Sequence, residues 1–117
     1  MRELISRLEE AKEKLLSLLA FINFDNLKVQ LQELQLQASD PALWDDTQNA
    51  QKVMKAVSDV RNEVEAWQEL EAKVNDVLEL AELEDESFRK EIAREVDAIE
   101  RELGHKELQT LLSGRYD

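Results

Sequence analysis

One run of apolar residues constrains the fold of this chain more than any other feature. It begins after Asp46, and its members lie three or four positions apart, as in the seam of a coiled coil: Val53, Val57, Val60, Val64, Trp67, Leu70 (or Glu71), Val74 and Leu78. The spacing predicts a helix over about 47–81, about 50 Å long at 1.5 Å per residue. Because such a helix is stable only when other helices cover its apolar face, the sequence predicts a helical bundle.

Two further helices are predicted on the N-terminal side of this seam. A stripe of residues three to four positions apart predicts a helix over about 3–21: Leu4, Leu8, Ala11, Leu15 and Leu18. Leu16, Leu19 and Ile22 are predicted to widen this apolar face. The residues "INFD" then indicate a break, because Asn23 and Asp25 favour caps and turns. A shorter helix over about 26–38 follows, and its predicted buried face consists of Leu27, Leu31 and Leu34.

The stretch "SDPALWDD" predicts a loop with one helical turn. Asp40 is a suitable capping residue, and Pro41 suits the first position of a turn. Trp44 is the unusual member, since a large aromatic side chain stands in a polar loop. We interpret Trp44 as a plug that packs against the core and fixes the loop, and binding to a partner is the alternative.

A last helix is predicted over about 87–112, after the acidic stretch "LEDESFRK". Either Asp85 or Ser87 is placed to cap it. Gly104 falls inside the helix, where glycine costs about 1 kcal/mol relative to alanine, so we expect a weak point or bend there. The predicted apolar face consists of Phe88, Ile92, Val96, Ile99 and Leu103.

These segments together predict an all-α fold, an elongated antiparallel bundle of three to four helices with long coiled-coil-like members. The composition agrees, with 43% hydrophobic and 36% charged residues but only two glycines and one proline. The short connections at 82–87 and 39–46 favour antiparallel neighbours. We expect residues 1–117 to form a single helical domain.

The charge of the chain limits its partners. The formal net charge is −12 and the pI is about 4.5, so the surface repels phosphate groups and favours basic proteins. We therefore expect no direct binding of nucleic acid and no binding to a membrane. No apolar run approaches the roughly 20 residues that a membrane span requires, and we expect a cytoplasmic protein.

No pattern in the sequence indicates a catalytic site, a cofactor-binding site or a metal site. We interpret the many carboxylates as the solvent-exposed faces of helices, and His105 as a surface or helix-capping residue. The chain has no cysteine and no glycine-rich phosphate loop. We predict that it is not an enzyme and has no cofactor, which leaves an interaction or spacer domain.

Four stretches, taken in order, resemble a known family: "DPALWDD", "AQKVMKAVS", "LELAELEDE" and "LLSGRYD". From about Leu15 to Asp117 the chain is similar to the N-terminal helical domain of bacterial class I peptide chain release factors of type 2. Type 1 factors are the closest alternative, but they lack the tryptophan-containing loop around Trp44. The resemblance implies that "LLSGRYD" is the junction to further domains of a longer protein.

The resemblance also implies a function. Type 2 factors read UGA and UAA stop codons on the ribosome and trigger hydrolysis of peptidyl-tRNA through a Gly-Gly-Gln loop. This sequence contains no Gly-Gly-Gln, so the decoding and catalytic domains are expected beyond Asp117. The expected partners are the stalk-base region of the ribosome and the recycling GTPase release factor, with a homodimer of the isolated domain as a further expectation. A stand-alone acidic coiled-coil adaptor or scaffold is the alternative function.

Overall fold

The computed structural model of the chain describes residues 1–113, and these residues contain helices and no strand. The all-α prediction is confirmed. The predicted junction "LLSGRYD" lies partly outside the described residues, from Gly114 onward. In chain order the elements are α1 (Arg2–Phe21), α2 (Phe24–Ala38), the 3-10 helix η1 (Pro41–Asp45), α3 (Thr47–Glu82), the 3-10 helix η2 (Glu86–Phe88) and α4 (Arg89–Ser113).

The chain forms two compact units. The first, called the terminal unit, consists of Met1–Ile22 and Gln68–Asp117. The second, called the central unit, consists of Asn23–Trp67. Helix α3 therefore contributes its first part to the central unit and its remainder to the terminal unit.

The terminal unit is built from α1, the later part of α3 and α4. Lys73 on α3 pairs with Glu95 on α4 at 3.1 Å, as expected for helices joined by a short hairpin. The five residues of the predicted α1 stripe are buried. Of the residues predicted to widen it, Ile22 is buried and Leu19 is half-buried, whereas Leu16 is 47% exposed because it lies beyond the edge of the covered face. The fully buried large side chains of this unit come from all three helices: Leu8, Leu15, Leu70, Val74, Ile92, Val96, Ile99 and Leu103.

The connection between α3 and α4 is a capped turn. Glu84 adopts a left-handed backbone with φ of 53°, and its N–H donates to the carbonyl of Ala81. Asp85 then caps η2, because its Oδ1 accepts from the backbone N–H of Ser87 at 2.9 Å. Phe88 departs from the prediction: it lies in η2 and is 37% exposed, because the chain enters α4 only at Arg89.

The central unit contains α2, η1 and the first part of α3. Asn23 adopts φ of 54°, which only a few residue types tolerate, and this produces the predicted break before α2. Leu27 is buried, whereas Leu31 and Leu34 are half-buried. The other buried apolar residues of this unit all lie on α3: Ala50, Val53, Val57, Val64 and Trp67.

Helix α4 continues through Gly104 without a break in its helical structure. No atom outside the local helix backbone lies within 4 Å of the position that a Cβ would occupy there. The glycine therefore does not serve a close contact within the described part of the chain.

Candidate functional site

The side chains that catalysis or metal binding would use are dispersed over the surface. His105 is exposed on α4. Among residues 1–113 there is no group of three or more His, Asp or Glu side chains placed to hold a metal ion. None of the helices in the same range has both the length and the apolar character needed to cross a bilayer. The features that remain are surfaces.

The first surface is a line of ion pairs between α1 and α4. Arg7 donates to Asp97 at 2.9 Å and to both carboxylate oxygens of Glu100. Lys14 pairs with Glu107 at 2.8 Å. The hydrogen bonds from Arg7 to Glu100, and then to Asp97, raise the pKa of its guanidinium above the ordinary value. These charges satisfy one another, so this surface joins the two helices rather than presenting free charge to a partner.

The second surface is an apolar groove at the C-terminal ends of α1 and α4. It encloses about 260 Å³, and its walls include Leu18 and Phe21 from α1 and Thr110 and Leu111 from α4. Phe21 is 52% exposed and Leu111 is 70% exposed. Two neighbouring leucines of α4, Leu108 and Leu112, are also exposed. We call the space between Leu18, Phe21, Thr110 and Leu111 the apolar groove; Leu108 and Leu112 do not line it.

Helical spacing explains why these leucines of α4 point away from the core. The buried stripe of α4 continues after Leu103 to the half-buried Lys106 and the buried Thr110. The buried hydroxyl of Thr110 has a hydrogen-bond partner there, since its Oγ1 donates to the carbonyl of Lys106 at 2.8 Å. Leu108 falls between these positions and Leu111 directly follows the last of them, so both lie off the buried stripe of the helix. The sequence carries a signal for them, since extending the stripe from Leu103 by helical spacing leaves Leu108 and Leu111 off the buried face.

The third surface is the loop that carries Trp44, which we call the Trp44 loop (Pro41–Asp46). The prediction that Trp44 packs against the core is wrong, because its side chain is 56% exposed. The backbone of the loop explains this outcome. Asp40 Oδ1 accepts from the N–H of Ala42, and Asp46 Oδ1 accepts from the N–H of Asn49. The two aspartates thus fix η1 and the start of α3 without any contribution from the indole.

Comparison with known proteins gives the family. Residues 27–117 match the PCRF domain. The peptide chain release factor 2 of Chloroflexus aggregans is 33% identical over 121 residues, covering 100% of this chain and 33% of the relative. That of Clostridium perfringens is 34% identical over 116 residues, covering 97% of this chain and 32% of the relative. That of Mycolicibacterium gilvum is 38% identical over 103 residues, covering 82% and 28% respectively.

The chain spans about a third of the length of the curated relatives it matches. The matched segment includes α3, the Trp44 loop and the whole of α4. Since the match to the PCRF domain covers most of the sequence, the chain belongs to the PCRF domain family of peptide chain release factors.

Proposed function

We propose that this chain is the N-terminal helical domain of a peptide chain release factor 2, and that it serves translation termination at UGA and UAA codons by docking on the ribosome. The observation that carries this proposal is the match of residues 27–117 to the PCRF domain. The similarity to release factor 2 proteins over the full chain supports the same assignment.

The proposed role is binding and positioning, not chemistry. The sequence contains no Gly-Gly-Gln, and the proposal assigns peptidyl-tRNA hydrolysis to residues outside this sequence. Added alone to ribosomes stalled at a UGA codon with a labelled peptidyl-tRNA, the chain is expected to release no peptide. Release above the background of buffer alone would contradict this part of the proposal.

The proposed docking partner is a protein of the ribosomal stalk-base region, in the cytoplasm, near the site of action of the recycling GTPase release factor. The net charge of −12 supports a basic protein surface as the direct contact, since it disfavours contact with RNA phosphates.

Co-sedimentation with ribosomes tests the docking. The chain is expected to pellet with intact ribosomes and to pellet several-fold less with ribosomes depleted of the stalk-base protein. An unrelated acidic helical protein of the same net charge is the control and is expected to stay in the supernatant. Equal pelleting with intact and depleted ribosomes would contradict the proposed partner.

We propose further that the isolated domain forms a homodimer through the apolar groove. Exposed apolar patches of this kind favour association once no other surface covers them. Sedimentation equilibrium is expected to show dimers at high concentration, and Leu111→Ser is expected to weaken them. Leu36→Ser is the matched control, because Leu36 is 71% exposed but lies in the central unit. A monomer at all concentrations would exclude this contact.

A stand-alone acidic adaptor is the second candidate function, and the apolar groove is the observation that favours it. The gene discriminates between the two candidates. A reading frame that continues past Asp117 and encodes Gly-Gly-Gln supports the release factor, whereas a stop codon at that point supports the adaptor.

A further inference from the structure

The Trp44 loop combines an exposed aromatic ring with a firmly held backbone. The loop is capped at both ends, by Asp40 and by Asp46, with hydrogen bonds of 3.0 and 3.2 Å to backbone N–H groups. Pro41 further restricts its first turn. The 56% exposure of Trp44 therefore belongs to a turn whose backbone is held by capping hydrogen bonds, and the indole is accessible to solvent.

The sequence around this ring carries acidic residues and no basic residue: Asp40, Asp45 and Asp46 lie within four positions of Trp44. No lysine or arginine occurs in the sequence between Lys28 and Lys52, a stretch that includes the whole loop. Asp45 is exposed beside Trp44, and in the part of the chain that the structure describes it forms no ion pair. The acidic residues between α1 and α4 differ, since Glu100 and Glu107 are paired with Arg7 and Lys14.

An arginine side chain matches both features at once. Its guanidinium is planar, so it stacks on the face of an indole while its N–H groups pair with a carboxylate. Lysine supplies the charge but neither the flat face nor the paired donors. Phosphate-bearing ligands such as RNA or anionic lipid are repelled by the same carboxylates.

We propose that the Trp44 loop is a docking site for an arginine-bearing segment of a partner protein, with Trp44 stacking on the guanidinium and Asp45 pairing with it. The proposal rests on the exposure of Trp44 and on the charges around it, and it does not depend on the proposed role in termination. Asp40 and Asp46 add to the local field while their side chains cap the backbone.

The test is a binding titration of the whole chain against a labelled, capped peptide of sequence Gly-Arg-Arg-Gly-Arg-Arg-Gly, followed by fluorescence anisotropy. Trp44→Ala is expected to weaken binding about fivefold, the equivalent of roughly 1 kcal/mol for a cation–π contact. Trp44→Leu is expected to weaken it by a similar factor, because leucine keeps the apolar bulk and loses the aromatic face. A peptide with lysine in place of arginine is expected to bind several-fold more weakly to the unaltered chain.

The charge control is a pair of variants with the same change in net charge. Asp45→Asn is expected to reduce the affinity about threefold, whereas Asp76→Asn, at an exposed position of α3 in the terminal unit, is expected to leave it unchanged. Far-UV circular dichroism is expected to show all four variants fully helical, since none of the altered side chains is buried.

Three results would overturn the proposal: equal binding by the Trp44 variants and the unaltered chain, equal weakening by Asp45→Asn and Asp76→Asn, or tighter binding of a short oligoribonucleotide than of the arginine peptide. Ribosome binding is measured separately. If the unaltered chain binds the arginine peptide but not ribosomes, the proposed function alone is contradicted. If it binds ribosomes but not the arginine peptide, this inference alone is contradicted.

Discussion

Arg7 on α1 donates from Nε to Oε2 of Glu100 on α4 across 3.1 Å, and together with a second ion pair this contact gives the relative direction of the two helices. The next pair along α1 joins Lys14 to Glu107. Between these pairs the chain advances from 7 to 14 on α1 and from 100 to 107 on α4, two helical turns on each. The two helices therefore run parallel, and the ion pairs hold them in register.

Replacing Arg7 with methionine is expected to destabilise the terminal unit modestly. The variant keeps the apolar stem of the side chain and loses the bonds to Asp97 and Glu100, so Tm is expected to fall by roughly 2–5 °C at low salt. The measurement is thermal unfolding by circular dichroism at 20 mM and at 1 M NaCl, and the difference from the unaltered chain is expected to shrink at high salt.

Lys55→Met is the control for this experiment, because Lys55 pairs with Asp59 within α3 and joins no second helix. It is expected to change Tm less than Arg7→Met does. An unchanged Tm for Arg7→Met at low salt would mean that the pairs between α1 and α4 do not stabilise the unit.

The core of the terminal unit should respond far more strongly than its surface. Leu8 is fully buried at 0% exposure, so Leu8→Ala is expected to cost about 2–5 kcal/mol in the free energy of unfolding, through lost burial and the cavity left behind. Leu111→Ala makes the same change at 70% exposure and is expected to cost less than about 0.5 kcal/mol. Urea denaturation of both variants provides the comparison. Similar losses from the two would contradict the described burial.

The helices were predictable because their apolar residues recur with the period of a helix. Each member of the α1 stripe, from Leu4 to Leu18, is buried, since residues three and four apart share one face. The same rule identified the face of α4 from Ile92 to Leu103. The break at Asn23 was predictable for a different reason, because asparagine is among the few residues that adopt a left-handed backbone readily.

The Trp44 loop was not predictable in the same way. A single aromatic residue in a loop has no periodic neighbours, so its burial depends on whether a cavity exists beside it in three dimensions. The capping hydrogen bonds of Asp40 and Asp46 hold the loop without any contact from the indole ring. The sequence indicates that these aspartates can act as caps, but it does not show that the caps alone are enough to hold the loop. The apolar groove was not predicted, because it requires the ends of α1 and α4 to lie side by side and Leu111 to lie off the buried stripe of α4.

The pairing of α1 with α4 could not be predicted from the sequence either. Many acids occur on α4, and nothing in the pattern distinguishes Asp97 and Glu100 as partners of Arg7 before the register of the two helices is known. Charge patterns report pairs within one helix, such as Lys55 and Asp59, because only there does sequence spacing fix the distance.

The cap at Asp85 is expected to make the α3–α4 turn sensitive to acid. Hydrogen bonds from the hydroxyl and then the backbone N–H of Ser87 hold the pKa of Asp85 below its ordinary value of 3.8. A carboxyl with a lowered pKa in the folded state stabilises that state fully above the unfolded pKa, and this contribution is lost as the pH falls through the folded pKa. Stability is therefore expected to decline below about pH 4.

Asp85→Asn isolates this effect, because the amide oxygen still accepts from the N–H of Ser87 and does not titrate in this range. The variant is expected to show a smaller decrease of Tm between pH 5 and pH 2.5 than the unaltered chain. Asp76→Asn carries the same charge change at an exposed site of α3 and is expected to keep the original decrease. An unchanged pH profile for Asp85→Asn would exclude Asp85 as a source of the acid sensitivity.

Glu84 occupies a backbone conformation that suits glycine. Its φ of 53° is unfavourable for a residue with a Cβ, so Glu84→Gly is expected to increase the free energy of unfolding by about 0.5–1 kcal/mol. Glu69→Gly, inside α3, is the matched control and is expected to decrease it by about 1 kcal/mol. Urea denaturation distinguishes the two signs, and a loss of stability from both variants would show that the turn gains nothing from glycine.

Gly104 presents the opposite case, a glycine where alanine is better suited. It lies inside α4, and a Cβ placed there would meet no atom within 4 Å apart from the local helix backbone. Gly104→Ala is therefore expected to raise the free energy of unfolding by about 1 kcal/mol, since alanine loses less conformational entropy in a helix. Ala98→Gly, at an exposed position of the same helix, is expected to lower it by about the same amount. If Gly104→Ala instead destabilises the protein, the helical conformation at this position is strained in a way that only glycine tolerates.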